Sequence, residues 1–512
     1  MENEKSVEKS STRSKQFLKY NLWLPMLLFG SIGAITWAIR GTSGWGGVDG
    51  TVLPALMWGV LWYYLSAKNG IEARHIILWL GLGLALGGEL GYGQYVGWIQ
   101  GNFQVGNEIM HINPLSGYAW LIMCGIGWAA PGGIVLGWTL GKQTSVKIWI
   151  VRAILLVVLL FILFDWPLIE MLGRYFVKID PGILFPHLNF GFYSANLDKH
   201  LSRTVYTNTQ NFLAVLWWFG ALIIATWQRD KTTLITGLII GGGFGLGFMQ
   251  SAIWTLGYVS APKYIDWWKL WELNAGFNLG VLYAITLYWW TQKILKNKES
   301  EKILSDDKRT KNKNTEWLKT LFLAFGGFLL LFLVGFEYFL WTGLALSLIY
   351  FLSMIFTTTG ISDSYAITER RKNVLLIYSI FYLVFLMFHG VSERLGIFLG
   401  LYAADVVAQY SWPIERIVLF SPIALLITGM AIYKLWQVLR PNAPHYKWNK
   451  ISHHKSLRIV DLMTVMTFIG ALSIWPQKIG VLYVLLLCIA IWAFNRLNNY
   501  YKLGIHKIRK IK

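Results

Sequence analysis

Long apolar runs alternate with short polar or basic stretches along most of the chain, from Leu22 to Phe494. Each run is close to the about 20 residues that a helix needs to cross a bilayer. Within a run the apolar residues are continuous and do not alternate with polar ones, so the pattern excludes a membrane β-barrel. It predicts an all-α polytopic membrane protein with about 14 transmembrane helices.

Polar stretches divide the chain into five predicted parts. These are a cytoplasmic tail (1–21), an eight-helix membrane domain (22–295), a charged cytoplasmic linker (296–315), a six-helix membrane domain (316–496) and a basic cytoplasmic tail (497–512). The segment 390–412 carries Glu393, Arg394 and Asp405 between two predicted helices. Because polar backbone at membrane depth needs water or protein around it, we interpret this segment as extracytoplasmic, re-entrant or interfacial.

The eight-helix domain contains predicted spans 1 to 8. They lie at about 22–39, 51–67, 76–100, 115–140, 150–172, 209–227, 233–256 and 275–292. Polar loops join the spans. A Gly-rich loop at 41–50 follows span 1, a long loop runs from 173 to 207, and a Trp-rich loop reaches Asn274 before span 8.

Spans 3 and 7 carry an internal repeat. Residues 81–101 and 237–257 lie 156 positions apart and share eight identities in 21 ungapped positions. So Gly- and Leu-rich a composition gives only about two or three identities by chance. The identical pairs are Gly81/Gly237, Leu82/Leu238, Gly87/Gly243, Leu90/Leu246, Gly91/Gly247, Gln94/Gln250, Trp98/Trp254 and Gly101/Gly257. We therefore predict a direct 4+4 repeat within the eight-helix domain.

Lysine and arginine residues mark the predicted cytoplasmic side of the membrane. They concentrate in the N-terminal tail and in the connections 68–75, 142–152, 229–231 and 293–319. With these segments inside, both termini are cytoplasmic and the two sets of four spans have the same orientation, as in parallel-repeat transporters. A bacterial plasma (inner) membrane is the simplest location for such a multi-pass chain.

Composition and charge narrow the function without identifying a substrate. The net charge of +20 invites a nucleic-acid partner, but the basic residues lie in tails and short loops. Membrane orientation and anionic lipid head groups account for them there, so we expect the lipid bilayer and no nucleic acid as a partner. The 28 Trp residues suit interfacial belts. Cys124 and Cys488 lie in apolar runs and are interpreted as packing residues.

Glu89 is the carboxylate placed deep in a strongly apolar span, where the second repeat copy has Gly245. A carboxylate inside a membrane is costly and is a functional candidate by default. Gln94 and Gln250 occupy matching positions on one predicted helical face of each copy, so they are candidates to line a path between spans 3 and 7. The alternative is that the Gly-rich faces only pack helices together, with the glutamines bonding across them.

The four predicted extracytoplasmic connections of the first domain gather polar and aromatic residues. Together these residues could form a cleft with apolar walls and a few oriented polar groups. The candidates for binding a sugar or another polyhydroxylated group there are Arg40, Trp45, Asp49, Trp267 and Trp271. The candidate acid/base groups are Glu108, His111, Asp266 and Glu272. The alternative is an ordinary set of solvated loops with interfacial tryptophans.

Three classes of function fit these features. The leading hypothesis is a transporter or permease for a small polar solute, with its path between spans 3 and 7. The second is a membrane-embedded enzyme that acts on a lipid-linked or glycan substrate through an extracytoplasmic acid/base site. The third is a membrane scaffold subunit. The sequence contains no nucleotide-binding, zinc-protease or hydrolase motif, so we predict no cofactor and no metal.

Overall fold

A computed structural model describes eight stretches of the chain, which are 22–40, 47–68, 76–105, 108–141, 145–179, 201–261, 265–304 and 479–509. They form a bundle of helices with one short β-hairpin. Trp45, the segment 390–412 and the predicted spans between 316 and 478 lie outside the described residues.

The described helices are named in chain order. They are α1 (Trp23–Arg40), α2 (Gly47–Lys68), α3 (Ile76–Gly87), α4 (Gly93–Ile99), α5 (Pro114–Leu140), α6 (Val146–Phe164), α7 (Trp166–Ile179), α8 (Leu201–Trp227), α9 (Lys231–Ser260), α10 (Trp267–Leu304) and α11 (Gly480–Arg509). Helix α9 contains a π-helical stretch, Leu238–Gly242, and a 3-10 stretch, Ala252–Leu256. Strands β1 (Asn102–Val105) and β2 (Glu108–His111) form an antiparallel hairpin.

Five of the described helices are long and apolar enough to cross a membrane. They are α5, α6, α8 from Val205, α9, and α11 as far as Leu497. This result agrees with the predicted all-α membrane protein. The total of about 14 spans and the direct repeat remain predictions.

The outward faces of α6 and α8 are apolar. Large side chains recur at helical spacing on each helix and are about half exposed or more. They are Ile150, Ile154, Val157 and Phe161 on α6, and Leu216, Phe219, Ile223 and Trp227 on α8. Apolar surfaces of this extent suit contact with lipid chains rather than water, which supports insertion into a membrane.

Helix α5 packs against α3, α8 and α9. Small residues allow the close approach on both sides. A Cβ atom added to Gly83 of α3 would lie 2.8 Å from the Cα of Gly132 on α5, and one added to Gly137 of α5 would lie 2.4 Å from the Cα of Thr233 on α9. Helix α5 therefore lies between α3 and the first part of α9.

The two repeat copies come together nearer their C-terminal ends. The rings of Tyr92 and Phe248, a matched pair of the repeat, have centroids 5.6 Å apart. Gln100 also donates a hydrogen bond from Nε2 to the carbonyl oxygen of Thr255, at 3.1 Å.

Predicted span 3 is not one continuous helix. Helix α3 ends at Gly87 and α4 begins at Gly93, so the matched residues of the first copy do not share a single helical face. The seven residues from 87 to 93 include four glycines, which are weak helix formers. Predicted span 5 is interrupted in the same way at Asp165, between α6 and α7.

Two stretches predicted as loops are helical. Residues 201–207 form the start of α8, and the Trp-rich residues from 267 to 274 form the first turns of α10. Asp266 explains the early start of α10, because its Oδ1 accepts a hydrogen bond from the backbone N–H of Lys269 at 3.1 Å. Helix α10 then continues past the predicted domain boundary at 296, as far as Leu304.

The approach of α3 to α5 gives a test of the fold at Gly87. A Cβ atom at this position would lie 1.9 Å from the backbone oxygen of Trp128. Because backbone cannot move aside as a flexible side chain can, we expect Gly87→Ala to destabilise the protein by about 1–3 kcal/mol through overpacking. The measurement is the Tm of the purified protein in detergent.

Gly220→Ala on α8 is the matched control, since a Cβ atom there meets nothing within 4 Å. Alanine is the better helix former, so the Tm of this variant should be unchanged or slightly higher. Equal Tm values for Gly87→Ala and Gly220→Ala would contradict the close contact of α3 with α5.

Candidate functional site

The break between α3 and α4 is closed by tight backbone turns. The N–H of Gly88 donates to the carbonyl oxygen of Ala85 at 2.9 Å, and that of Leu90 donates to Gly87 at 3.1 Å. This three-residue spacing tightens the end of α3. The carbonyl groups of Leu90 and Gly91 lie between the two helices and accept no helical hydrogen bond. Inside the protein an unpaired carbonyl costs about 1–3 kcal/mol.

Side chains from two neighbouring helices satisfy these two carbonyls. Trp128 of α5 donates from Nε1 to the oxygen of Leu90 at 2.8 Å. Asn211 of α8 donates from Nδ2 to the oxygen of Gly91 at 2.9 Å, and Cys124 Sγ lies 3.6 Å from the same oxygen. The break is therefore a built feature with specific donors, as non-helical backbone buried away from water requires.

Asn211 belongs to a run of five polar residues on α8, residues 207–211, all of which are buried. Asn208 in this run accepts a hydrogen bond from the hydroxyl of Tyr95 at 2.9 Å and one from Nε2 of Gln94 at 3.4 Å. Both donors lie on α4. The polar run therefore holds the segment after the break as well as the break itself.

The same run reaches the interruption between α6 and α7. Gln210 donates from Nε2 to the carbonyl oxygen of Leu163, near the end of α6, at 3.0 Å. Asp165 accepts a hydrogen bond from the backbone N–H of Leu168 at 3.1 Å and so caps the start of α7. Two interrupted helices thus depend on one segment of α8.

Glu89 lies in the turn that ends α3 and is half-buried. Its backbone N–H donates to the carbonyl oxygen of Leu86 at 3.3 Å. The predicted intramembrane carboxylate is therefore placed at a helix break, directly before Leu90 and Gly91. Discontinuous helices of this kind carry the substrate and ion sites of many transporters.

An aromatic cluster centres on Tyr92, at the end of the break. The ring of Tyr92 contacts four others at centroid distances of 5.2 to 6.5 Å, namely those of Trp128, Phe248, Trp268 and Trp271. Trp271, a predicted binding residue, is only 1% exposed and is part of the core. Tyr92 itself is half-buried, so the cluster is partly accessible from outside the protein.

A buried ion pair lies beside this cluster on α10. Lys269 and Glu272 form a salt bridge, with side chains 0% and 3% exposed. Trp268 also donates from Nε1 to Glu272 at 2.9 Å. Removing one partner of such a pair would leave a buried charge without compensation. The predicted acid/base residue Glu272 is therefore engaged with a cation and an indole.

Asp266 and Trp267, two further predicted site residues, shape the connection between α9 and α10. Besides capping α10, Asp266 accepts a hydrogen bond from the hydroxyl of Tyr258 at 3.4 Å. Trp267 stacks on Trp254, with ring centroids 6.4 Å apart and planes 18° apart.

Gln94 and Gln250 belong to separate hydrogen-bond networks. Gln94 bonds to Asn208 on α8, whereas Gln250 donates to Asn274 Oδ1 at 3.1 Å and accepts from Asn278 at 2.7 Å, both on α10. Gln94 is half-buried and Gln250 is exposed. Among the described residues, these hydrogen bonds do not join the two glutamines into one lining.

The remaining predicted site residues lie on α1, α2 and the hairpin. Arg40 ends α1, and Asp49 lies in the first turn of α2 rather than in a Gly-rich loop. Glu108 and His111 lie on β2. Because alternate positions of a strand face opposite sides, positions 108 and 111 lie on opposite faces of the hairpin. His111 is exposed.

Comparisons with protein-family models, curated proteins and solved structures give no match. The helix break, the aromatic cluster and the polar networks around them are therefore the features that bear on function. Among the residues that the structure describes, no group of three or more His, Cys, Asp and Glu side chains is placed to hold a metal ion.

The polar run of α8 was not recognised from the sequence, and neither Tyr92 nor Lys269 was predicted as a site residue. The run 207–211 stood at the predicted boundary between a loop and span 6, and its signal was five consecutive polar residues directly before a long apolar stretch. A second buried ion pair was also not predicted, because both of its residues stood in predicted loops. Arg152 and Asp230, 2.6 Å apart and 1% and 4% exposed, lie where basic loops were predicted.

The polar run gives a test of the helix break at Asn211. Asn211→Leu keeps the approximate volume but removes the donor to Gly91 and its contact with the Tyr95 hydroxyl. We expect a loss of about 1–3 kcal/mol in stability, because buried polar groups lose their partner. Hydrogen–deuterium exchange should become faster at residues 88–95 before it does elsewhere.

Thr226→Val is the control on the same helix. Thr226 donates only to the carbonyl oxygen of Leu222 within α8, at 2.8 Å, so its loss leaves no other element unsatisfied. Exchange at residues 88–95 should match that of the unchanged protein. Unaltered exchange there in Asn211→Leu would show that α8 does not hold the break.

Proposed function

We propose that the protein is a transporter or permease for a small polar solute, whose path passes the break between α3 and α4. The observation that carries the proposal is the half-buried Glu89 in a helix break whose carbonyl groups are bonded by α5 and α8. Building a break into an apolar helix costs several hydrogen bonds and ordered side chains. In transporters, interruptions of this kind place oxygen, amide and carboxyl groups at membrane depth.

The proposed path lies where the C-terminal parts of the two repeat copies meet, with α5 as a third wall. Tyr92 of the first copy and Phe248 of the second are in contact there. Gln94, two residues beyond Tyr92, offers an amide group beside the buried asparagine Asn208. These groups can hydrogen-bond a polar solute that has left water.

In this proposal the conformation of Tyr92 controls access to the break. Its ring lies against four other rings and so closes the route between the two copies. Alternating access requires a second arrangement of such an element, in which the ring leaves the cluster. Glu89 lies three residues before Tyr92, so a change in its protonation or partners can be coupled to that movement.

The described residues give weaker support to the alternative of an acid/base enzyme. Two-carboxyl chemistry needs both groups directed at one substrate. Asp266 instead caps α10, and Glu272 is held by Lys269 and Trp268. Positions 108 and 111 lie on opposite faces of the hairpin.

The proposal is tested at Glu89 in proteoliposomes. A panel of labelled sugars, polyols, amino acids and nucleosides is offered to vesicles that contain the unchanged protein, and uptake is compared with that of empty vesicles. We expect saturable uptake of at least one solute, and we expect Glu89→Gln to remain folded but to lose at least about 90% of it. A panel in which no solute enters faster than in empty vesicles would contradict transport.

Glu170→Gln is the matched control, since it makes the same chemical change on α7 at a side chain that is not buried. A hydrogen bond from Arg174 lowers the pKa of Glu170, so the substitution removes a charge at neutral pH. Uptake should be unchanged. Equal uptake by Glu89→Gln and Glu170→Gln would exclude Glu89 from the mechanism without excluding transport.

A further inference from the structure

A second amide network joins α9 and α10. Gln250 donates to Asn274 Oδ1 at 3.1 Å, and Asn278 donates to Gln250 Oε1 at 2.7 Å. Asn278 also donates to the carbonyl oxygen of Gly247 at 2.8 Å. These three residues, Gln250, Asn274 and Asn278, are called the outer amide cluster below.

The outer amide cluster is partly open to its surroundings, because Asn274 and Asn278 on α10 are only half-buried. Gln250 is exposed, and its neighbours along the same face of α9, Leu246 and Ile253, are 59% and 50% exposed. The internal bonds leave the amino group of Asn274 and the carbonyl oxygen of Asn278 without a hydrogen-bond partner among the described residues. Amide groups that face hydrocarbon without partners are costly, so lipid chains do not suit this patch.

The position along α9 places the cluster at a membrane boundary. Gln250 lies 19 residues from Lys231, the start of the helix. At about 1.5 Å per residue the separation is about 28 Å, which is close to the thickness of the hydrocarbon layer, about 30 Å. If Lys231 marks one boundary, as the basic residues around it predict, the cluster lies at the level of the lipid head groups on the other side.

An exposed tryptophan platform adjoins the cluster. Trp254 is 42% exposed and donates from Nε1 to Asn274 Oδ1 at 2.9 Å. Trp267 supports it by stacking, and Gly257 makes room for that support, since a Cβ atom there would lie 2.1 Å from the Trp267 ring. The platform is therefore held in place while one face remains open.

We infer that the outer amide cluster and Trp254 bind the polyhydroxylated head group of a membrane lipid. A hydroxyl group both donates and accepts, which matches the open carbonyl oxygen of Asn278 and the open amino group of Asn274. The electron-rich face of the indole suits the polarised C–H side of a sugar or polyol ring. Leu246 offers an apolar surface on which the acyl chains continue. This inference does not depend on transport through the helix break.

The inference is tested by lipid binding to the purified full-length protein, measured by native mass spectrometry. Glucosyl-diacylglycerol, phosphatidylcholine and phosphatidylglycerol are added in parallel at matched concentrations. We expect one glucosyl lipid to bind saturably and at least about fivefold more tightly than phosphatidylcholine. We expect Asn274→Leu and Trp254→Ala each to weaken it about five- to tenfold, as the loss of one or two net hydrogen bonds or of a stacking face predicts.

Ile253→Ala is the matched control on the same exposed face, and it should bind the glucosyl lipid as the unchanged protein does. The Tm of each variant shows whether it is folded. Trp254→Ala keeps the amide cluster intact if Asn274→Leu does not fold. Equal binding of all three lipids, or no effect of either variant, would overturn the inference. Binding of methyl glucoside in place of the lipid would also overturn it, by showing that a free sugar occupies the site.

Discussion

The fold depends on one constraint, which is that carbonyl groups leaving a helix inside the protein must find donors. Two helices are interrupted, after Gly87 and at Asp165, and both interruptions are held by buried amides from the same part of α8. Each unpaired carbonyl would cost about 1–3 kcal/mol, which is a large share of the net stability of an ordinary domain. The polar run 207–211 therefore cannot be replaced by the apolar residues that its position in a membrane helix would otherwise favour.

The same constraint acts at matching positions of the two similar segments, 81–101 and 237–257. Gly91 and Gly247 occupy matching positions, and each accepts a hydrogen bond from an asparagine amide, that of Asn211 at 2.9 Å and that of Asn278 at 2.8 Å. The matching glutamines likewise bond to asparagine oxygens, on Asn208 and on Asn274. The donors come from α8 in one case and from α10 in the other. The shared glycine and glutamine positions thus require the same kind of partner, and non-equivalent helices supply it.

The sequence predicted the class of fold well, because long continuous apolar runs have few alternative interpretations. It predicted one helix for span 3, since hydropathy does not distinguish a glycine-rich helix from an interrupted one. Asn208 and Asn211 could not be recognised, because their role depends on contacts with residues more than 100 positions earlier in the chain. Lys269 and Glu272 looked like loop residues, since the cap at Asp266 that extends α10 leaves little trace in a Trp-rich segment.

In the first copy, the helix break provides the space that the carboxylate of Glu89 occupies. In the second copy the helix continues through the matching position, and Gly245 lies so close to α5 that a Cβ atom would be 2.7 Å from Ile126 and 2.9 Å from the carbonyl oxygen of Ile122. No side chain fits there, and a carboxylate fits least of all. In the first copy the chain leaves the helix at Gly88, and position 89 becomes half-buried rather than pressed against α5. Interrupting the helix therefore leaves room for Glu89 at a position where, in the second copy, close packing against α5 permits only glycine.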